Sequence, residues 1–426
     1  MRNLFSLPNE DTIHPLVVKN FKRNFFANLF DSGFWFFGDS FVAAYTILPV
    51  FISTMTDSPL VIGLIPAFEA AGWFLPQLFL ARHLEGMKRR LPLVLKLGVL
   101  ERFPLLLMAI TALMIPIFNK GGAVFIFLVI YVLKTLASGL VALPWQELIA
   151  TVIPVSHRGR FWGYALILGK LMGIFGSLIT GFLLTSVTYP KNYAMMFGLG
   201  FIGVSISFIF TTLNIEPVIE RVVPKDSREL SLWNRMGSIL KADRNFLNFL
   251  INRAVLFLGT MGLGFITVYG IQKYQLPLYH SAIFTFVMLV AEIIGYGIWG
   301  THGDKAGYKI VLEFCNLLFI FGLLILLVFN SIWGLYLAFG IISIAHAGEY
   351  IADQNIAMEF SSEAERPIYI GMSKTLTGPF LLVAPIIGGA LVKLWNYQGM
   401  FLISLIISIL AYGTIRFLVV EPRFSN

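Results

Sequence analysis

Apolar runs of about 20 residues or more, separated by short polar clusters, recur along the 426-residue chain. A helix of about 20 apolar residues crosses the hydrocarbon of a bilayer. Twelve segments reach that length: 24–53, 58–82, 91–118, 121–152, 160–187, 192–213, 246–271, 278–300, 309–330, 332–358, 367–393 and 398–419. Most are joined by brief links with turn residues, such as Asp57-Ser58-Pro59, Asn119-Lys120-Gly121-Gly122 and Tyr189-Pro190. The exception is 214–245, rich in charge and proline, which divides the chain into 1–213 and 246–426 with six predicted helices each. The pattern predicts an all-α integral membrane protein of twelve transmembrane helices in two pseudo-symmetric six-helix bundles, joined by a cytoplasmic central loop.

Composition agrees. Hydrophobic residues make up 57% of the chain and charged residues 13%, against about 25% charged in a soluble domain. Lipid must therefore be the solvent for much of the surface. Cys315 is the single cysteine, which excludes an internal disulfide and a cysteine metal cluster. The net charge of +8 does not point to nucleic acid, because its placement follows the membrane. With the N-terminus inside, the outer loops keep only Lys120, Lys191, Lys273 and Lys393, a roughly fivefold bias towards inner basic residues. Both termini and the central loop are expected to be cytoplasmic, in a cell membrane. The apolar sequence begins near Phe25 with no small-residue cleavage site, so the N-terminus reads as a retained polar tail.

The halves echo each other. Gly163, after Arg160-Phe-Trp, matches Gly371, after Arg366-Pro-Ile-Tyr-Ile; Trp145-Gln146-Glu147 aligns with Asp353-Gln354-Asn355 at the same offset of 208 residues. Duplication with a binding site between repeats is a recurring transporter plan.

The link after the eighth segment reads Gly300-Thr-His-Gly-Asp304-Lys305-Ala-Gly307-Tyr-Lys309. It resembles the loop motif of the major facilitator superfamily. The link after the second segment is a degraded copy, with Gly86 and Lys88-Arg89-Arg90 retained and His83 where the acid should stand. The resemblance spans the chain and implies the rocker-switch fold and transport. It further implies a gate in which Asp304 engages the start of the eleventh helix near Arg366. Efflux members often carry glycines and a proline on the fifth helix. Here Gly169, Gly173, Gly176 and Gly181 lack the proline, and Pro385 with Gly388-Gly389 stands on the eleventh segment instead. Close helix packing is an equal reading of these small residues.

Fifteen ionisable residues lie inside the predicted spans, besides histidines and those grouped with the loops. A charge at mid-membrane costs roughly 2.5–3.5 kcal/mol, so these groups must pair, protonate, snorkel or line water. His346, Glu349 and Asp353 share one face of the tenth segment, where proton chemistry is plausible. Asp31, Trp35 and Asp39 form a stripe on the first segment, Lys134 and Trp145 mark the fourth, and Arg253 the seventh. The resemblance implies that these four helices line the central cavity. Glu101 and Arg102 are adjacent and expected to point apart, each pairing across helices; Glu69 and Glu292 lie at comparable depths and read as interdomain partners.

These features predict a secondary transporter of a small solute working by alternating access. Proton coupling and facilitated diffusion both remain open. No phosphate-binding loop, metal-ligand spacing or cofactor motif is present, and a monomer is expected. The competing readings are a membrane enzyme acting on lipid and a transport-dead sensor on the same fold.

Overall fold

The computed structural model describes residues 13–85, 87–219, 232–361 and 365–424, and every regular element among them is helical. Helix covers each of the twelve predicted segments, but it is not divided as expected, and among the described residues eight helices are long and apolar enough to cross a membrane. The protein is a multi-pass membrane protein.

The departures have local causes. The first segment holds α1 (Pro15–Ser40) and a separate short α2 (Ile47–Ser53). Pro49 favours the break: in a continuous helix its ring would crowd the carbonyl of residue 45 and remove a hydrogen bond, whereas proline is tolerated in the first turn of α2. Next come α3 (Pro59–Glu85), α4 (Leu91–Met114), α5 (Lys120–Val152), α6 (Val155–Ser186) and α7 (Lys191–Thr212). The Asn119 side chain caps α5 by accepting the Gly122 N–H at 2.7 Å. Helix α8 (Leu232–Ala242) lies in the stretch read as a loop. Apolar residues Leu232, Met236, Ile239 and Leu240 recur at helical spacing there, a signal too short to register as a span.

The seventh segment is interrupted. Helix α9 (Arg244–Gly259) passes into a 3-10 stretch (Thr260–Phe265) before α10 (Ile266–Tyr274). Three glycines, Gly259, Gly262 and Gly264, weaken helix there, and the Ser404 hydroxyl takes the Gly259 carbonyl. Then follow α11 (His280–Ala306), α12 (Tyr308–Val328) and α13 (Ile332–Glu359). The last two predicted segments form one run, α14 (Arg366–Leu418), reversing at Asn396 with φ 69° and ψ 178°. The Asn396 side chain accepts the Gly399 N–H at 3.1 Å and so caps the second half.

Two compact units result: residues 1–43 with 71–223, and residues 44–70 with 224–426. This differs from the expected division at 44–70, a stretch that packs with the C-terminal helices. Thr46 and Thr285 hydroxyls are 2.6 Å apart, and a Cβ at Gly389 would lie 2.6 Å from the Pro59 carbonyl oxygen. Gly388 meets Met261 in the same way, so these glycines serve close packing. In the first unit α1 packs on α6 and α7, and α4 on α5 and α7; in the second α9 packs on α14, and α12 on α13 and α14. Allowing for the two helices merged in α14, this is the same pairing twice. Phe21, Phe25, Val94, Leu148, Ile149 and Phe161 form the core at one end of the first unit.

Candidate functional site

In the first unit the α1 stripe meets α5. Asp31 is buried, and its carboxylate accepts the Trp145 indole N–H at 2.8 Å and the hydroxyls of Ser207 at 2.6 Å and Thr211 at 2.9 Å. Three donors on two helices, α5 and α7, thus satisfy one acid, the geometry of a structural anchor. One face-repeat along each helix, Lys134 Nζ lies 3.3 Å from Asp39 Oδ1. Trp35 does not join them; its indole donates to Glu101 Oε1 at 3.0 Å. The expectation for Glu101 and Arg102 needs correction: they pair with each other at 2.7 Å. Their backbones diverge by about 100°, but the long arginine folds back, while also donating to the Val204 carbonyl.

In the second unit the shared face of α13 is present, but its three groups have different partners. Asp353 Oδ1 lies 2.9 Å from Arg253 Nε, and His346 Nδ1 lies 3.4 Å from Glu292 Oε1 on α11. Glu292 is thus engaged by a histidine of its own unit. Glu349 is buried between the two pairs, with Oε1 lacking a hydrogen-bond partner.

Exposure separates the members of each pair. Side-chain exposure is 5% for Lys134 against 32% for Asp39, 3% for Arg253 against 27% for Asp353, and 5% for Glu292 against 40% for His346. Each pair has a sealed member that holds the charge and an open one. An ionisable group facing hydrocarbon would be expensive, so the open sides are suited to water or solute.

The loop motif forms the turn between α11 and α12. Gly307 has φ 94°, and a Cβ there would lie 2.3 Å from the Glu421 carboxylate; Gly300 has open space around it. Asp304 Oδ1 accepts the Tyr308 hydroxyl at 2.8 Å. Among the described residues no ion pair or hydrogen bond joins Asp304 to Arg366, which opens α14, and Lys305 is exposed. Lys309 Nζ pairs with Glu313 at 3.1 Å. The side chain of His83 lies outside the described residues. Gly307→Ala is expected to lower stability by about 1–3 kcal/mol, because an L-residue is strained at this φ and the Cβ displaces Glu421. Gly300→Ala should leave the melting temperature of the purified protein unchanged. Equal shifts for the two would remove this account of the motif.

Sequence reading missed a mirrored pair of acids. Glu216, after α7, accepts the backbone N–H groups of Arg90 at 2.7 Å and Leu91 at 2.8 Å. Glu421, after α14, accepts the Lys309 N–H at 3.0 Å. Each carboxylate caps the helix that follows a motif link, where the dipole is positive. The signal was available as Ile215-Glu216-Pro217 and Val420-Glu421-Pro422, a repeated acid–proline step closing each half. Around Glu421, the Arg423 guanidinium engages Glu359, donates to the Asp304 carbonyl at 2.9 Å and lies over the Tyr308 ring. Burial pushes the Glu421 carboxyl above the usual glutamate range; the Lys309 amide pulls it back in part, and Glu359 pushes it up again. A raised native pKa means that the folded chain holds this proton more tightly than the unfolded one. Its stabilising contribution is then full below the unfolded value and is lost as pH rises through the folded one. Glu421→Gln should therefore flatten the fall in melting temperature as pH rises above about 4.5. A variant with an undiminished pH slope would place that titration elsewhere.

The family model described as Major Facilitator Superfamily matches residues 280–426. No curated protein sequence matches the chain. Among solved structures, the D-xylose–proton symporter superposes with a TM-score of 0.71 at 14% identity, covering 94% of this chain and 98% of that one. A structure of the nucleoside transporter NupG gives 0.72 at 14%, covering 92% and 99%. A bacterial homologue of the iron transporter ferroportin, in an inward-facing state, gives 0.69 at 13%, covering 92% and 98%. At such identities the likeness is one of fold.

Proposed function

From a chain that has the major facilitator fold throughout and matches that superfamily's model over residues 280–426, we propose a secondary transporter. It carries a small solute across a cell membrane by exposing its polar groups alternately to the two sides. The observation that carries this reading is the set of three ion pairs, each with one sealed and one open member: Asp39–Lys134, Asp353–Arg253 and His346–Glu292. A purely structural pair has no need of an open partner, whereas a solute or proton must reach the group it displaces.

In this reading α13 also carries the proton. Glu349 is buried within reach of Arg253, His346 and Asp353, so its charge depends on what those neighbours are bound to. The Asp304 turn and Arg366 serve as the gate on the basic side, which is cytoplasmic together with both termini, and the protein works as a monomer.

Solute counterflow in proteoliposomes tests the proposal. Exchange of at least one labelled solute across a broad panel is expected, with Glu349→Gln retaining exchange but losing its response to a pH gradient. No exchange of any solute would overturn the transporter reading; a retained pH response would move the proton away from α13.

A further inference from the structure

Two carboxyl groups meet where the second unit ends. Val420-Glu421-Pro422 leads from α14 into a short 3-10 turn (Pro422–Phe424), which lies against α13, and Glu359 is the last residue of α13. The Glu421 and Glu359 carboxyls stand at hydrogen-bonding range of each other. Each has one enclosed oxygen that receives no donor, Oε1 of Glu421 and Oε2 of Glu359. An ionised carboxylate only accepts, so two of them side by side repel, and a single proton between them turns the repulsion into a bond.

The neighbouring charges call for that proton. The Arg423 guanidinium engages Glu359 and donates to the carbonyls of Gly303 at 3.4 Å and Asp304 at 2.9 Å. Lys309 gives Glu421 only its backbone N–H, at 3.0 Å, because its ammonium pairs with Glu313 at 3.1 Å; Arg416 also reaches Glu313, at 3.4 Å. Tyr308 lies beneath Arg423 and gives its hydroxyl to Asp304, while His302 and Lys305 are exposed. Among the described residues, one guanidinium is thus left to serve two carboxylates.

The corresponding end of the first unit is built differently. Glu216 uses both oxygens to accept the backbone N–H groups of Arg90 and Leu91, and Thr151 stands where the 208-residue offset would place a counterpart of Glu359. Glu421 is also seated directly on the α11–α12 turn. A Cβ at Gly307 would lie 2.3 Å from its Oε2, and the same oxygen accepts the Lys309 N–H at the start of α12.

We propose that Glu359 and Glu421 share one proton and so form a pH-operated latch, which ties the segment after α14 to the end of α13 and to the α11–α12 turn. As pH rises the proton leaves to water, both carboxylates carry charge against the one guanidinium, and the turn loosens. Burial raises the Glu421 carboxyl above the usual glutamate range, with Glu359 adding to it against the pull of the Lys309 amide. The closed form therefore holds the proton more tightly than the open one, and acid favours closure. The latch goes beyond the transporter reading and does not rest on it.

A spin label on the turn reads the latch directly. Cys315, the single cysteine, is buried, so a thiol-reactive label goes to His302→Cys, an exposed position in the last turn of α11. In the full-length protein in liposomes, the ratio of mobile to immobile label should rise as pH is raised from about 4.5. A difference of one pKa unit between closed and open forms gives a rise of about tenfold. Glu421→Gln keeps a donor between the two side chains and has no proton to lose, so its label should stay immobile at every pH. Glu359→Gln leaves no second carboxylate, and its label should not respond to pH. Should one variant fail to fold, the other carries the comparison, and the labelled wild-type background is decisive on its own if its mobility is flat with pH. That flat profile, or a pH response retained in either variant, would overturn the latch. A flat label together with a melting temperature that still falls with pH would also overturn it, since Glu421 would then stabilise the fold without moving the turn.

Discussion

Arg253→Met is expected to abolish transport and to lower stability by roughly 3–5 kcal/mol, the usual cost of removing one member of a buried charged pair. The guanidinium is almost fully enclosed, lies 2.9 Å from Asp353 and stacks on the Phe257 ring at 4.6 Å. It also acts on Glu349, so its loss leaves two carboxylates one helical turn apart with only His346 and Lys374 acting on them. Asp353 can turn towards solvent at its open side; Glu349 cannot. The double variant Arg253→Met with Asp353→Asn removes one of the two negative charges. It should recover at least about 1 kcal/mol of the loss without recovering transport. Thermal unfolding of the purified variants measures the first quantity and counterflow the second. If the double variant is no more stable than the single one, ion pairing is not what Arg253 contributes.

Gly139→Ala should be nearly as damaging, although it adds a single methyl group. A Cβ at Gly139 would sit 1.9 Å from the Gly72 carbonyl oxygen, and one at Gly72 would sit 2.3 Å from the Thr135 side chain. The obstacle at Gly139 is backbone, which cannot rotate away as a side-chain tip can. Helices α3 and α5 must separate, at a cost of roughly 1–3 kcal/mol or more. Thr135 follows Lys134 directly, so the same displacement draws the ammonium from Asp39. Stability and transport should therefore fall together. Gly163→Ala, with nothing within 4 Å, is the control and should change neither. A Gly139→Ala protein that melts and transports normally would show that these helices are not held in backbone contact.

Much of this was legible in one dimension because the bilayer imposes a length and an apolarity on whatever crosses it. The twelve apolar stretches, the turn at Asn119, the motif glycine at Gly307 and the charges on the first, fourth, seventh and tenth segments all follow from composition and spacing. Breaks inside a stretch were harder to read. Pro49 and the glycines at 259, 262 and 264 are the local cause in two cases, but neighbouring helices decide the result: Ser404 captures the Gly259 carbonyl only because α14 lies against α9. The reversal at Asn396 falls in the link expected between the last two segments, but that a single left-handed residue makes it, with no longer loop, could not be read from periodicity.

By itself the sequence determined that the chain is a duplicated, helical membrane protein with an unusual density of charge in its spans, since hydrophobicity and residue type act locally and can be counted. Which charges meet was decided by the tertiary structure. His346 could not be assigned to Glu292, nor Asp39 to Lys134, nor Glu421 to the start of α12, because a charge pair depends on distance in space. Residues dozens to a hundred or so positions apart acquire that distance only when the helices pack.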